Sequence, residues 1–200
     1  MVNETEQYEE EVKKYFEEHF KNLGKEIKVE RQWRPFKGES ISKYSPIVDV
    51  AVGPFAYGDE KYIREYNELT EMSCKLLNNL SSSFRENSKG FSFMEKIPAD
   101  CYEFNNINRN ARCFMAIEIE KSGTRKHMLG DIVNACSLGR IGIIIAWNPS
   151  VLKSFLRITE YFSFLRSKDK PTYESRNLII VLKEQFLKSF HFIESDKHEL

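Results

Sequence analysis

The sequence predicts an α/β fold of three layers, in which helices cover both faces of a central mixed β-sheet. Two observations predict this fold class. Residues 111–147 contain an alternating strand, a turn, a helix and a short apolar strand, which together form a βαβ unit with two parallel strands. Outside this unit, stretches with the period of a helix and stretches with the period of a strand follow one another along the chain.

The elements of the βαβ unit have clear boundaries. Residues 114–121 alternate as a strand, and the next three residues make a turn. The helix begins at Arg125, and Gly139 is the residue at which it is expected to end. Residues 141–147 form a continuous apolar run, as expected of a strand that is covered on both faces.

The remaining elements follow from the same periodicities. They are helices over residues 3–23, 59–80, 149–165 and 185–190, and strands over residues 25–33, 45–52 and 177–182. The acids of the first helix are interpreted as a solvated face, and Glu11 is the acid among them that is the candidate for another role. Residues 81–90 are predicted to be flexible. The chain is therefore predicted to be one domain over residues 1–200, with an insertion at about 55–110 between the second and third core strands.

Composition excludes several classes of protein. Basic and acidic residues number 30 each, so the net charge is zero and a uniformly basic surface for nucleic acid is absent. The four cysteines have no Cys-x-x-Cys spacing, which predicts neither a structural disulfide nor a zinc site and favours a reducing, cytoplasmic location. No apolar stretch is long enough to cross a membrane. The neutral charge fits a domain that works as a homodimer or within a larger complex.

Three acids lie on predicted strands, where charges are unusual. Glu118 and Glu120 are two residues apart, so their side chains point to the same face of the third strand. Asp49 is the only charge in residues 45–52. A carboxylate that is buried without a partner is costly, and a divalent cation is one partner that removes this cost. Backbone amides or an arginine are the alternative partners.

Carboxylates on neighbouring strands suit metal-assisted hydrolysis of a phosphodiester. Their oxygens bind Mg²⁺ or Mn²⁺, which activates a water molecule and screens the charge that builds on the phosphate. The helix that follows begins with Arg125, Lys126 and His127, whose side chains are candidates to contact the phosphates of nucleic acid. The alternative interpretation is that these three residues are solvated, or that His127 lies at the edge of the core.

At these residues the sequence resembles the PD-(D/E)XK nuclease superfamily, whose fold is called restriction-endonuclease-like. The matching segments are Pro46 to Asp49 (PIVD), Glu118 to Glu120 (EIE), the helix that begins at Arg125, and the strand at residues 141–147. The resemblance covers the sheet-forming segments and does not extend to residues 55–110.

The resemblance implies roles for these residues. Asp49 and Glu118 would be metal ligands, and Glu120 would occupy the position where the family usually has lysine and would orient or deprotonate the attacking water. Lys126, one helical turn away, would supply the missing cation. The long separation between Asp49 and Glu118 departs from the family pattern and requires a folded insertion between two strands that pair.

The sequence therefore predicts a nuclease that depends on Mg²⁺ or Mn²⁺ and acts on nucleic acid, with DNA as the expected substrate. The expected catalytic residues are Asp49, Glu118, Glu120 and Lys126, and the expected contacts to nucleic acid are Arg125, Lys126 and His127. Two alternatives stay open. One is a restriction-endonuclease-like module without catalysis that binds nucleic acid or a protein partner, and the other is an unrelated α/β protein in which Glu118 and Glu120 pair with arginines.

Overall fold

A five-stranded mixed sheet forms the centre of the structure. The computed structural model describes residues 3–36 and 46–195, with the backbone only at residues 191–195. The strands lie in the sheet in chain order, as β1 (Val29–Trp33), β2 (Val48–Val52), β3 (Cys113–Glu120), β4 (Gly139–Ala146) and β5 (Leu178–Leu182). β2 is antiparallel to both β1 and β3, whereas β3, β4 and β5 run parallel. Ser45, the first residue of the predicted second strand, lies outside the described residues.

Helices cover both faces of this sheet, which confirms the predicted three-layer α/β/α architecture. They are α1 (Glu4–Asn22), α2 (Ile63–Met72), α3 (Cys74–Asn87), α4 (Arg125–Leu138), α5 (Pro149–Ser167) and α6 (Lys183–Ser195), with short 3₁₀ helices at Met94–Lys96 and Cys101–Asn106. The rings of Phe16 and Phe186 join α1 to α6, and α4 contacts α5. No helix within the described residues is both long and apolar enough to cross a membrane.

Helix α1 follows the helix that the sequence predicts. The Asn3 side chain accepts a hydrogen bond from the Thr5 N–H and caps the first turn. Gly24, just beyond the end of the helix, has a φ of 74°, a conformation that glycine adopts without strain. The buried stripe consists of Tyr8, Val12, Phe16 and Phe20, which hold the helix against the sheet.

The segment between β2 and β3 differs from the prediction. The sequence predicts one helix over residues 59–80 and a flexible stretch over residues 81–90. In the structure the helix is broken at Ser73 into α2 and α3, and α3 continues to Asn87. The reason is that Phe84 is buried and extends the apolar stripe of α3 by one turn through the polar run. The insertion is therefore helical where it was expected to be irregular, and β2 and β3 still pair across it.

A disulfide joins Cys74 and Cys101, so the prediction that the chain has no structural disulfide is wrong. Cys74 begins α3, Cys101 begins the second 3₁₀ helix, and their Cα atoms are 5.3 Å apart. The two cysteines are 27 positions apart, and Cys101 lies in a segment without a clear period, so no pattern in the sequence shows that they meet. Cys113 and Cys136 are buried free thiols, as their apolar surroundings indicate.

Helix α4 lies directly against β4 at Gly142. A Cβ atom built at this position would lie 2.7 Å from the carbonyl carbon and 2.8 Å from the carbonyl oxygen of Ala135. Because helix backbone cannot move aside as a flexible side chain can, Gly142→Ala is expected to lower the free energy of unfolding by about 1–3 kcal/mol. Denaturant unfolding measures this change.

Gly130, in the same helix, provides the control for Gly142. No atom lies within 4 Å of a Cβ built at Gly130, and Gly130→Ala is expected to raise the free energy of unfolding by about 0.4–1 kcal/mol. A Gly142→Ala protein that is as stable as the Gly130→Ala protein would contradict this account of how α4 contacts the sheet.

Candidate metal centre

Asp49 on β2 and Glu118 on β3 lie side by side at the centre of the candidate site. The antiparallel register pairs Val50 with Ile117, and the next pair along the two strands is Asp49 and Glu118. The Asp49 N–H donates to Glu118 Oε2 at 3.4 Å, and the Ile119 N–H donates to Asp49 Oδ2 at 2.8 Å. The spacing of the sheet therefore fixes both carboxylates, although 69 positions separate them in the sequence.

The two carboxylates are largely removed from solvent. Glu118 is 3% exposed, and its Oε1 makes no hydrogen bond with a described residue. Burial raises the pKa of Glu118 well above its ordinary value, and the negative charges of Asp49 and Asp131 raise it further. Burial also raises the pKa of Asp49 to about 6, and the hydrogen bond from the Ile119 N–H offsets only part of this rise. The Asn134 side chain and the Asp49 N–H act to lower the pKa of Glu118 but offset only part of its rise, and no described lysine or arginine forms an ion pair with either acid.

Glu120 ends β3 and folds back over the turn that leads into α4. Its Oε1 accepts hydrogen bonds from the Ser122 N–H at 2.8 Å and the Gly123 N–H at 2.7 Å, and its Oε2 lies 2.8 Å from Nδ1 of His127. A Cβ atom at position 123 would overlap the Glu120 carboxylate, so this close approach requires glycine. Burial acts to raise the pKa of Glu120, but these hydrogen bonds outweigh it and the pKa is lowered.

Helix α4 adds Asp131 and His127 to this group of carboxylates. Asp131 lies one helical turn after His127 and is 8% exposed, and its Oδ2 is 3.6 Å from His127 Nδ1, too far for a hydrogen bond. Burial raises the pKa of Asp131 to about 7 against the lowering effect of His127, and the charges of Glu120 and Asp49 add to the rise. The hydrogen bond to Glu120 and the charge of Asp131 raise the pKa of His127.

A second network holds Asp49 from the side of α1. Glu9 on α1 is 4% exposed, and its two oxygens accept hydrogen bonds from Arg31 Nη2 at 3.0 Å and from Gln32 Nε2 at 3.1 Å. The same Nε2 of Gln32 donates to Asp49 Oδ1 at 3.3 Å. Gln32 therefore links the ion pair of Glu9 and Arg31 to the first carboxylate of the site.

Gln32 has a φ of 49°, which costs a residue other than glycine about 1–2 kcal/mol. Gln32→Gly relieves this strain and Gln32→Ala does not, while both variants lose the link to Asp49. We expect the glycine variant to be more stable than the alanine variant by about 1–2 kcal/mol, the reverse of the usual order in a strand. Denaturant unfolding in EDTA measures the difference, and equal stability of the two variants would contradict the strain at Gln32.

The basic residues that were predicted to contact nucleic acid do not converge on the carboxylates. Arg125 and Lys126 lie in the first turn of α4, are exposed, and make no hydrogen bond or ion pair with a described residue. Lys121 pairs with Glu4 and lies 5.2 Å from the ring of Trp147. Of the three predicted contacts, only His127 reaches the site, and the catalytic role of Lys126 stays a prediction.

Glu9, Gln32 and Asp131 belong to the site but were not identified from the sequence. Asp131 follows His127 by four residues and so lies on the same side of α4, a spacing that the sequence does contain. Glu9 lies three residues before a buried valine of α1, whereas Glu11, the acid that the pattern favoured, is exposed. Gln32 has no sequence signal, because its role depends on a positive φ.

The donor atoms of the site fit a divalent cation. Among residues 3–36 and 46–195, no lysine or arginine forms an ion pair or a hydrogen bond with Asp49, Glu118, Glu120 or Asp131. Glu118 Oε1 and Asp131 Oδ2 are buried without a hydrogen bond, and carboxylate oxygens are the ligands that Mg²⁺ and Mn²⁺ prefer. The arginine partners that an unrelated α/β protein would place on Glu118 and Glu120 are not found in the described part of the chain.

Comparison with known proteins identifies no relative of this chain. No protein-family model, no curated protein and no solved structure matches the chain. The inference of function therefore depends on the geometry of the site and on the resemblance of its motifs.

Proposed function

We propose that the chain is a nuclease of the restriction-endonuclease-like fold that depends on Mg²⁺ or Mn²⁺ held by Asp49 and Glu118. The observation that carries this proposal is the buried carboxylate pair. Glu118 is 3% exposed with an unpartnered oxygen, and no described lysine or arginine neutralises either acid. A buried charge without a partner lowers stability. Binding of a cation would remove this cost and would explain why the chain carries the pair.

The order of the elements supports the resemblance to the PD-(D/E)XK superfamily. Helix α1, the three antiparallel strands, α4 and the parallel strand β4 follow one another around the helical insertion. Asp49 lies on the second strand, and Glu118 and Glu120 lie at the end of the third. The segments that carry the resemblance thus lie on neighbouring strands of one sheet, which supports the proposal.

The residues of the chain position the reacting groups in this proposal. Bound Mg²⁺ would polarise the phosphate and lower the pKa of the attacking water. Gln32 and the backbone of β3 hold Asp49, and the Asp49 N–H holds Glu118. Glu120, fixed by the amides of the turn, is the group we propose to orient the water and accept its proton.

The proposed substrate is DNA. Arg125 and Lys126 are exposed next to the contact between Glu120 and His127, and neither is engaged by a described acid. Cations in this position are available to bind the phosphates that flank a cleaved bond. The proposal includes a homodimer as the working form, in which two copies would cut the two strands.

The proposal keeps the cytoplasmic location that the sequence favours, because its substrate is intracellular DNA. The disulfide between Cys74 and Cys101 would then have to persist in a reducing compartment, where such bonds are rare. Counting thiols in denaturant, in protein alkylated as the cells are lysed, tests this point, since the disulfide leaves two of the four cysteines as thiols and both of these are buried in the fold.

A cleavage assay on linear, supercoiled, single-stranded and branched DNA tests the proposed function. We expect the wild-type protein to cut in Mg²⁺ or Mn²⁺ but not in EDTA, and Asp49→Asn to abolish cutting. Asp59→Asn is the matched control and is expected to cut normally, because Asp59 is exposed. Lys126→Ala is expected to cut more slowly, and an unchanged rate would remove Lys126 from the site.

Two results would overturn the proposal. Equal cutting by wild type and Asp49→Asn would show that the activity does not come from this site. The second result is that no substrate is cut although Mg²⁺ raises the melting temperature. It would favour a module that binds the cation but does not catalyse hydrolysis.

A further inference from the structure

The residues Glu120, His127 and Asp131 form a second group beside the Asp49–Glu118 pair, with a different set of donor atoms. Glu120 Oε2, His127 Nδ1 and Asp131 Oδ2 all lie within 4.8 Å of one another. Two carboxylate oxygens and one imidazole nitrogen suit transition ions such as Zn²⁺ or Mn²⁺, whereas Mg²⁺ prefers oxygen ligands alone.

We infer that Glu120, His127 and Asp131 form a second cation site, which binds a divalent transition ion and links the end of β3 to α4. This inference goes beyond the proposed nuclease function and its test does not depend on cleavage; an ion bound here would occupy Glu120 Oε2 and would stop Glu120 from accepting the proton of the attacking water. A cation here would neutralise two carboxylates that adjoin the first site. The prediction that the chain has no zinc site rested on cysteine spacing alone and did not consider this group.

Glu120 is oriented for this role by the turn that follows it. The amides of Ser122 and Gly123 occupy Oε1, so Oε2 is the oxygen left to face His127. The missing side chain at Gly123 leaves the space in which the carboxylate lies. One ligand is thus held in position before any ion binds, which reduces the entropy lost on binding.

Asp131 gives an independent indication of a ligand. It is 8% exposed, and its Oδ2 is buried without a hydrogen bond, an unfavourable state for a polar atom that a bound cation would relieve. This oxygen lies 3.6 Å from His127 Nδ1, and Glu120 Oε2 lies 2.8 Å from the same nitrogen. Ligands about 2.0–2.2 Å from a shared ion lie roughly 3–4 Å apart, so a small shift of His127 suffices.

The site is rigid on one side and open on the other. Met128 and Ile132 are buried and fasten the first turns of α4 to the sheet, which holds Asp131 in place. The His127 side chain is 70% exposed. Ions can therefore enter from solvent, and water can fill the coordination positions that the protein leaves open.

Titration with Zn²⁺, followed by calorimetry, tests the second site. We expect tighter binding of Zn²⁺ than of Mg²⁺ by the wild-type protein, and His127→Ala and Asp131→Asn should each weaken Zn²⁺ binding at least about tenfold. Asp59→Asn, the exposed control, should bind Zn²⁺ as the wild type does. Unchanged Zn²⁺ affinity in His127→Ala would overturn the inference, because the pair of His127 and Glu120 would then be an ordinary ion pair.

Two further variants keep this test separate from the test of nuclease activity. The double variant Asp49→Asn/Glu118→Gln lacks the first site but should retain Zn²⁺ binding. Loss of Zn²⁺ binding in this variant would overturn the inference that the second site is distinct from the first. Gly123→Ala keeps every ligand but displaces the flexible end of Glu120, so it should fold normally and bind Zn²⁺ at least about tenfold more weakly. Wild-type Zn²⁺ affinity in Gly123→Ala would exclude Glu120 as a ligand.

Discussion

Glu118→Gln is expected to stabilise the metal-free protein at pH 8 by about 1–4 kcal/mol and to abolish its response to Mg²⁺. Glutamine has nearly the shape of glutamate without its charge, so it removes the cost of holding an acid that is 3% exposed and has an unpartnered oxygen. It also removes a proposed ligand, and we expect DNA cleavage to fall by a factor of about 10²–10³ or more. Denaturant unfolding in EDTA and thermal unfolding in Mg²⁺ measure the two effects.

The exposed residue Glu95 provides the matched control for this exchange. Glu95→Gln makes the same chemical change on the surface, where we expect less than about 0.5 kcal/mol of effect and a normal Mg²⁺ response. A Glu118→Gln protein that is less stable than wild type in EDTA would contradict the account, because the charge of Glu118 would then be balanced within the fold.

Raising the pH from 5 to 8 is expected to destabilise the metal-free protein. Burial is the main cause that raises the pKa of Asp49 to about 6 and the pKa of Asp131 to about 7 in the folded chain. A carboxyl group with a raised pKa stabilises the fold below its unfolded pKa, and this contribution is lost as the pH rises through the folded pKa. At 1.36 kcal/mol per pKa unit, the rise in the pKa of Asp49 to about 6 amounts to about 3 kcal/mol in full, and about 1.4 kcal/mol of this is lost between pH 5 and 8.

Two further groups, His127 and Glu174, do not oppose this trend between pH 5 and 8. The raised pKa of His127 acts in the same direction, because its charged form is favoured in the fold and is lost at higher pH. Glu174, whose arginine partners outweigh burial and lower its pKa to about 2, titrates below this range. The expected decline in stability therefore comes from Asp49, Asp131 and His127, which all belong to the candidate site.

Mg²⁺ is expected to reverse the destabilisation at pH 8, since it binds the ionised carboxylates. At a concentration one hundred times its dissociation constant, a ligand adds about 2.7 kcal/mol to the free energy of unfolding. Thermal unfolding from pH 5 to 8, in EDTA and in Mg²⁺, measures both trends. A melting temperature in EDTA that climbs toward pH 8 would show that these carboxylates are not held in an unfavourable environment.

The fold was predictable where the sequence has a regular period. The alternating residues of β3 and the apolar run of β4 predict the parallel pair and the helix that joins them. The segment at residues 55–110 was not predictable in detail, because its structure depends on contacts between distant residues. Cys74 meets Cys101 because α3 packs against the second 3₁₀ helix, and the burial of Phe84 makes a polar stretch helical.

The site was predictable in part, because a charge within an apolar strand is rare. Asp49 and Glu118 were identified in this way, and the register of β2 and β3 brings them together. The position of Glu120 was not predictable, since it depends on the amides of the following turn. Gln32 acts through a positive φ that the sequence does not show, whereas the spacing of Asp131 from His127 is in the sequence but does not by itself show that the two lie beside Glu120.

Anomalous diffraction from a crystal grown with Mn²⁺ is the most direct test of the central claim, that the buried pair of Asp49 and Glu118 holds a divalent cation. The account predicts a Mn²⁺ peak that contacts one oxygen of each carboxylate at about 2.1 Å, with Glu118 Oε1 among its ligands. A map without a peak between Asp49 and Glu118, in which a lysine or arginine side chain neutralises the pair, would contradict it.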